Sequence, residues 1–150
     1  MSKSGLIQQH LRTLSILSAA IVSGIVLFGA VVFYLLSSGG LGQGSDVPGS
    51  TGLILYLSAL SVLVVAHFLP KALETPGRGA SLEEVLAWHK KTTLIAMGLR
   101  EGAAFMALVG IMLTGSWTPG IGVAGLAILT IVLGWPRETQ IQGYMRDPGV

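Results

Sequence analysis

Two ionisable side chains stand next to each other inside an apolar run of this chain, and they are where chemistry would be sought first. Arg100 and Glu101 fall within TTLIAMGLREGAAFMALVGIMLTG, residues 92–115. At about 1.5 Å per residue, such a run is long enough to cross a hydrocarbon core of roughly 30 Å. A charge near the bilayer centre costs roughly 2.5–3.5 kcal/mol on insertion scales, so two in one segment need a reason. Neighbours on a helix point about 100° apart, so this pair cannot face each other. Arg100 can snorkel toward Lys90 and Lys91. Glu101 is shorter; it must be protonated, paired across helices or turned into a hydrated cavity. One reading makes Glu101 a proton or cation site that Arg100 tunes or gates. The other makes the two residues an interhelix ion pair or hydrogen-bonded knot that fixes packing. Tyr56, Ser58, Ser61, Ser23 and Thr130 are the neutral polar groups expected at comparable depth, and partners of Glu101 are sought among them.

The three histidines are the other titratable candidates. His67 lies inside the end of an apolar run, while His10 and His89 border two others. Their spacing does not match a haem or metal-ligand pattern, so no cofactor and no metal are expected. Cysteine is absent, which excludes disulfides, thiolate metal sites, Fe–S clusters and cysteine nucleophiles. No nucleotide-binding loop, zinc motif or nucleophile elbow occurs, and the reading is a protein that is not an enzyme.

The segments that must position these residues follow from composition and charge. Of 150 residues, 51% are hydrophobic and 11% charged. Soluble domains average about 25% charged residues, so a water-facing surface cannot be built from this few. Apolar runs are expected as helices over about 14–36, 52–69, 82–115 and 120–135, in a single four-helix membrane domain covering 1–150. The basic start before the first run resembles a signal peptide, but the run exceeds the usual h-region of about 7–15 residues and is read as retained. Residues 37–51 form a Gly/Ser loop, and Pro70-Lys71 marks the exit of the second run. Ser81 with Glu84 three residues on forms a capping box, starting an amphipathic turn that continues into the third helix. Trp88 suits a membrane interface. The polar tail, 136–150, is expected on the membrane surface or disordered.

Lys and Arg fall before the first helix, between the second and third, and after the fourth; the other two loops have none. The positive-inside rule then places both termini and the 71–91 loop in the cytoplasm. A weak repeat accompanies this topology. His10-Leu-Arg-Thr13 and His89-Lys-Lys-Thr92 are 79 residues apart, and at that offset Ser23-Gly24 falls opposite Gly102-Ala103. Phe68-Leu-Pro-Lys71 and Gly134-Trp-Pro-Arg137 close the two halves alike. This is either a duplicated helix pair or a chance recurrence in apolar sequence.

Small residues mark expected contact faces: Gly98, Gly102, Ala103 and Gly110 on the third helix, Ser15, Ala19 and Ser23 on the first, Gly120 and Ala124 on the fourth. Gly98–Gly102 is a GxxxG motif, which packs within the chain or against a second copy.

The segment Gly98-Leu-Arg-Glu-Gly-Ala-Ala-Phe-Met-Ala-Leu-Val-Gly110 resembles the carboxylate-bearing helix of rotary ATP synthase proteolipids, the c subunits. The resemblance covers roughly twenty residues and implies an ion-binding role for Glu101 alone. The 71–91 loop is longer than that family's polar loop and lacks its Arg-Gln-Pro signature, and an Arg beside the carboxylate is foreign to it. The expected fold class is all-α integral membrane, with four transmembrane helices as two hairpins and cytoplasmic N- and C-termini. The expected function is a small proteolipid-like protein whose Glu101 binds or relays a proton or cation within an oligomer. The alternative is a non-catalytic accessory subunit of a larger membrane complex, in which Arg100 and Glu101 hold helices together. The partners are the lipid bilayer and either further copies or other membrane subunits, with no nucleic acid; the location is the bacterial inner (cytoplasmic) membrane.

Overall fold

The computed structural model of the chain describes residues 3–39, 48–73, 76–77, 79–139, 141 and 143. It is all-helical, with α1 (Lys3–Ser37), α2 (Gly49–Ala72), α3 (Leu82–Thr114) and α4 (Gly120–Leu133). Three of these are long and apolar enough to cross a membrane. The fourth has 14 residues, about 21 Å at 1.5 Å per residue, and falls short of a ~30 Å hydrocarbon core. Of the four expected helices, all are present, and three have the length and apolar composition to span a membrane.

The ends of the helices follow local chemistry. Ser81 N–H donates to Glu84 Oε2 at 2.8 Å, and Glu84 N–H donates to Ser81 Oγ at 3.3 Å, closing the capping box. From there α3 runs unbroken for 33 residues to Gly115, which adopts a left-handed φ of 66°. That conformation is one that side chains other than glycine's rarely accept. At the end of α2, Pro70 is tolerated within the last turn, so the helix stops at Ala72, two residues beyond the expected exit. The Thr118–Pro119 peptide leading into α4 is cis.

α3 is the central helix, in contact with each of the other three. α4 also touches α1 and α2 and lies between them, whereas α1 and α2 share no contact among the described residues. The second expected hairpin, α3–α4, is therefore a packed pair, and the first is not. Outward from this core, α1 and α2 expose Leu27, Phe33, Leu53, Ile54, Leu57 and Phe68, the apolar surface that a lipid-facing helix presents.

α1 buries Ile7, Leu14, Ser18, Ile25 and Val32, with Leu11, Ile21 and Phe28 half-buried between them. This alternation of three and four residues is a heptad seam, and it holds α1 along α3. The two helices run parallel and in step. Ser18 Oγ lies 3.6 Å from the Met97 sulfur, 79 residues on, and a Cβ on Gly29 would lie 3.8 Å from Leu108, again 79 residues on. Residues paired by the repeat therefore meet each other.

At the α3 end marked by Thr114, the packing depends on glycine. A Cβ on Gly110 would lie 2.6 Å from the Tyr56 ring, and one on Gly52 would lie 2.5 Å from Thr114. Gly120 likewise packs against Ile111 and Tyr56. These three glycines let backbones approach a buried aromatic ring.

Candidate functional site

Measured along α3, Arg100 lies 14 residues from Thr114, or about 21 Å. With a core of roughly 30 Å beginning near Thr114, Arg100 and Glu101 lie about 9 Å inside the opposite boundary rather than at the centre. At the same level α4 ends. A Cβ on Gly134, the residue that caps α4, would lie 2.8 Å from Arg100 Nη1 and 3.1 Å from the Thr130 carbonyl. The half-buried guanidinium thus sits at the C-terminal end of α4. The last carbonyls of a helix carry partial negative charge, so a cation there is favourably placed. Arg100 reaches the end of a neighbouring helix instead of stretching toward Lys90 and Lys91.

Glu101, about 100° further round α3, is half-buried, on the flank between the buried face and an open one. Among the described residues its side chain has no ion pair with Arg100 and no hydrogen bond. The sought neutral partners are engaged elsewhere. Tyr56 OH lies 3.4 Å from Thr114 Oγ1, Ser61 donates to the Leu57 carbonyl at 2.9 Å, and Thr130 donates to the Ala127 carbonyl at 2.8 Å. Ser23 is exposed and Ser58 half-buried, and neither bonds to Glu101.

The small residues divide between two faces. Ala103 and Gly110 are buried inside the bundle. Gly98 and Gly102 are exposed, with nothing within 4 Å of a Cβ built on either. On α1, Ala19 and Ser23 point away from the bundle, and the buried serine is Ser18. Among the described residues nothing therefore packs against either glycine of the GxxxG motif, which borders the flank that carries Glu101.

A second group of polar and titratable side chains gathers where α1 and α3 extend beyond α2 and α4. The ~30 Å core takes up about twenty residues of each helix. Counted back from Ser37 and Thr114, the segments before about Leu17 and before about Leu94 project beyond it. Between these projections His10 Nε2 lies 3.2 Å from His89 Nδ1, with the rings tilted at 57°. One nitrogen donates and the other accepts. Burial pushes the His10 pKa below the usual histidine value, and the nearby His89 and Lys90 push it further in the same direction. Beneath the rings Thr92 is buried, its Oγ1 donating back to the Trp88 and His89 carbonyls. Ile7 and Val85 close the projection together with Ile141, fully buried in the segment after α4. Within the tail expected on the membrane surface or disordered, Ile141 packs into this cluster; residues 140, 142 and 144–150 lie outside the described residues.

The meeting of His10 and His89 was not anticipated from helical spacing, because the two residues belong to different helices. The signal was the 79-residue offset of the repeat. No group of three or more His, Cys, Asp or Glu residues able to hold a metal occurs among the described residues. No family model, curated protein or solved structure matches the chain.

Proposed function

We propose that this chain is a small polytopic membrane protein, similar to a proteolipid, in which Glu101 binds or relays a proton or cation within an oligomer. The observation that carries the reading is the division of labour between the two adjacent charges. Arg100 is placed against the end of α4, while Glu101 stays on a flank beside the outward Gly98 and Gly102. A second copy packed on that glycine face would enclose the carboxyl in apolar surroundings, where it is either protonated or holding a cation. The local resemblance to rotary ATP synthase c subunits points to the same residue. Both termini and the 71–91 loop lie in the cytoplasm on this reading, by the one-sided Lys/Arg distribution, and the membrane is the bacterial inner membrane.

The second reading, a non-catalytic accessory subunit of a larger complex, draws support from the same open face, which a helix of different sequence could cover. Here Arg100 fastens α3 to α4 and Glu101 only contributes to packing.

The test is Glu101→Gln beside Arg100→Gln, scored for assembly and for proton or cation flux in vesicles, with labelling of Glu101 by a hydrophobic carbodiimide. Normal assembly with flux and labelling both lost in Glu101→Gln establishes an ion site. Failed assembly, with flux that only tracks the surviving complex, makes the residue structural and removes the proteolipid reading.

A further inference from the structure

We propose that the cleft between the projecting ends of α1 and α3 binds the phosphate group of an anionic glycerophospholipid, with Lys90 as its principal contact. The cleft is a cavity of about 190 Å³ lined by Leu6, Gln9, His10, Thr13, Leu14 and Lys90. It offers an ammonium, an imidazole and an amide within one small concavity whose lining contains no carboxylate, while the Thr13 hydroxyl donates to the Gln9 carbonyl at 3.0 Å. Lys90 is exposed and has no acidic partner among the described residues. Burial disfavours a proton on His10, and the neighbouring His89 and Lys90 add positive charge that disfavours it further. An anion in the cleft would offset that charge, and phosphate accepts from ammonium and amide donors.

Three features favour a lipid as the source of the phosphate. The cleft begins at Leu14, about one helical turn outside the boundary near Leu17, at the depth where headgroups meet hydrocarbon. Two of its lining residues, Leu6 and Leu14, are apolar. On α1 the face that carries His10 continues at seven-residue steps through Leu17, Gly24 and Val31, of which Leu17 and Val31 are exposed at 39% and 52%. An acyl chain attached to a phosphate in the cleft can follow that face into the bilayer. Basic pockets between transmembrane helices are a known way of holding anionic headgroups. The proposal does not involve Glu101 and stands apart from the ion-site reading.

The experiment titrates the detergent-solubilised full chain with phosphatidylglycerol, phosphatidylcholine or inorganic phosphate and follows the His10 ring resonances by NMR. Phosphatidylglycerol is expected to shift those resonances at concentrations several-fold below the other two. Lys90→Ala should weaken phosphatidylglycerol about fivefold, the effect of roughly one surface Lys contact, and Lys90→Arg should retain it. Lys91→Ala, exposed and outside the cleft, should leave affinity unchanged. Equal responses to phosphatidylglycerol and phosphatidylcholine would overturn the proposal. So would equal losses in Lys90→Ala and Lys91→Ala, which would indicate diffuse surface charge. Inorganic phosphate binding as tightly as phosphatidylglycerol would overturn the lipid assignment.

Discussion

His10 and His89 occupy the same position in two parallel helices, and their ring nitrogens meet at 3.2 Å. The in-step packing of α1 on α3 at a 79-residue offset makes this contact, and it repeats below at Ser18 and Met97. Two sequence segments that resemble each other are therefore also in contact with each other.

This contact makes the projection sensitive to acid. The His10 pKa is lowered in the fold, so the folded state binds its proton less readily than the unfolded chain does, whose value is near 6.5. The contribution is favourable in full above that value, falls as pH drops below it, and levels off beneath the folded-state pKa. Thermal unfolding in detergent followed from pH 8 to pH 5 should show stability falling on the acid side. His10→Gln should flatten that part of the curve; an unchanged curve would contradict the account.

Arg100 is predicted to stabilise the end of α4. Arg100→Gln should lower stability by about 1 kcal/mol, the usual scale for a cation at a partly buried helix C-terminus. Arg100→Lys should lose less. Amide exchange across residues 130–135 is the direct readout, and the protection lost in Arg100→Gln should be concentrated there.

Gly110, twelve residues from Gly98 and eight from Gly102 in α3, should behave oppositely to them. Gly110→Ala drives a methyl into the Tyr56 ring, and overpacking of this kind costs about 1–3 kcal/mol. Gly102→Ala meets nothing within 4 Å and should leave the monomer's stability unchanged or raised by up to ~1 kcal/mol through helix propensity. Cross-linking yield is the second readout, because a Gly102→Ala protein that is stable but less oligomeric identifies the outward face as the contact between copies.

The capping box at the start of α3 should be separable from everything below it. Ser81→Ala removes the acceptor for Glu84 N–H and should cost about 1 kcal/mol. Ser81→Asp should restore it. Hydrogen exchange at Glu84 and Val85 tests this without reference to function.

Much of the architecture was legible because apolar runs and their punctuation are local. Ser81-Leu-Glu-Glu84 announced the start of α3, and Gly115 ended it with the backbone geometry glycine permits. What was not legible depended on which helices become neighbours. Chain order suggests that α1 pairs with α2, yet both lie on α3 instead. Ser23 and Gly102 matched at the repeat offset and looked like contact residues, but spacing alone does not say which side of a helix faces the bundle. The seam of α1 was present in its sequence as Leu11, Leu14, Ser18, Ile21 and Ile25, hidden among apolar residues on every side. Arg100 stood out in the sequence as a residue in need of explanation, but its neighbour, the end of α4, depended on where that short helix stops.

The lack of contact between α1 and α2 has a consequence for how the protein is made. Both helices leave the ribosome before α3 exists, and neither offers the other a surface. They must wait in the bilayer as separate rods until the central helix arrives. α4 then enters between them as the last piece, touching α1, α2 and α3 alike. A chain arrested after Ala72 would hold two inserted helices and no tertiary structure, so this protein's fold comes into being almost wholly in the second half of its synthesis.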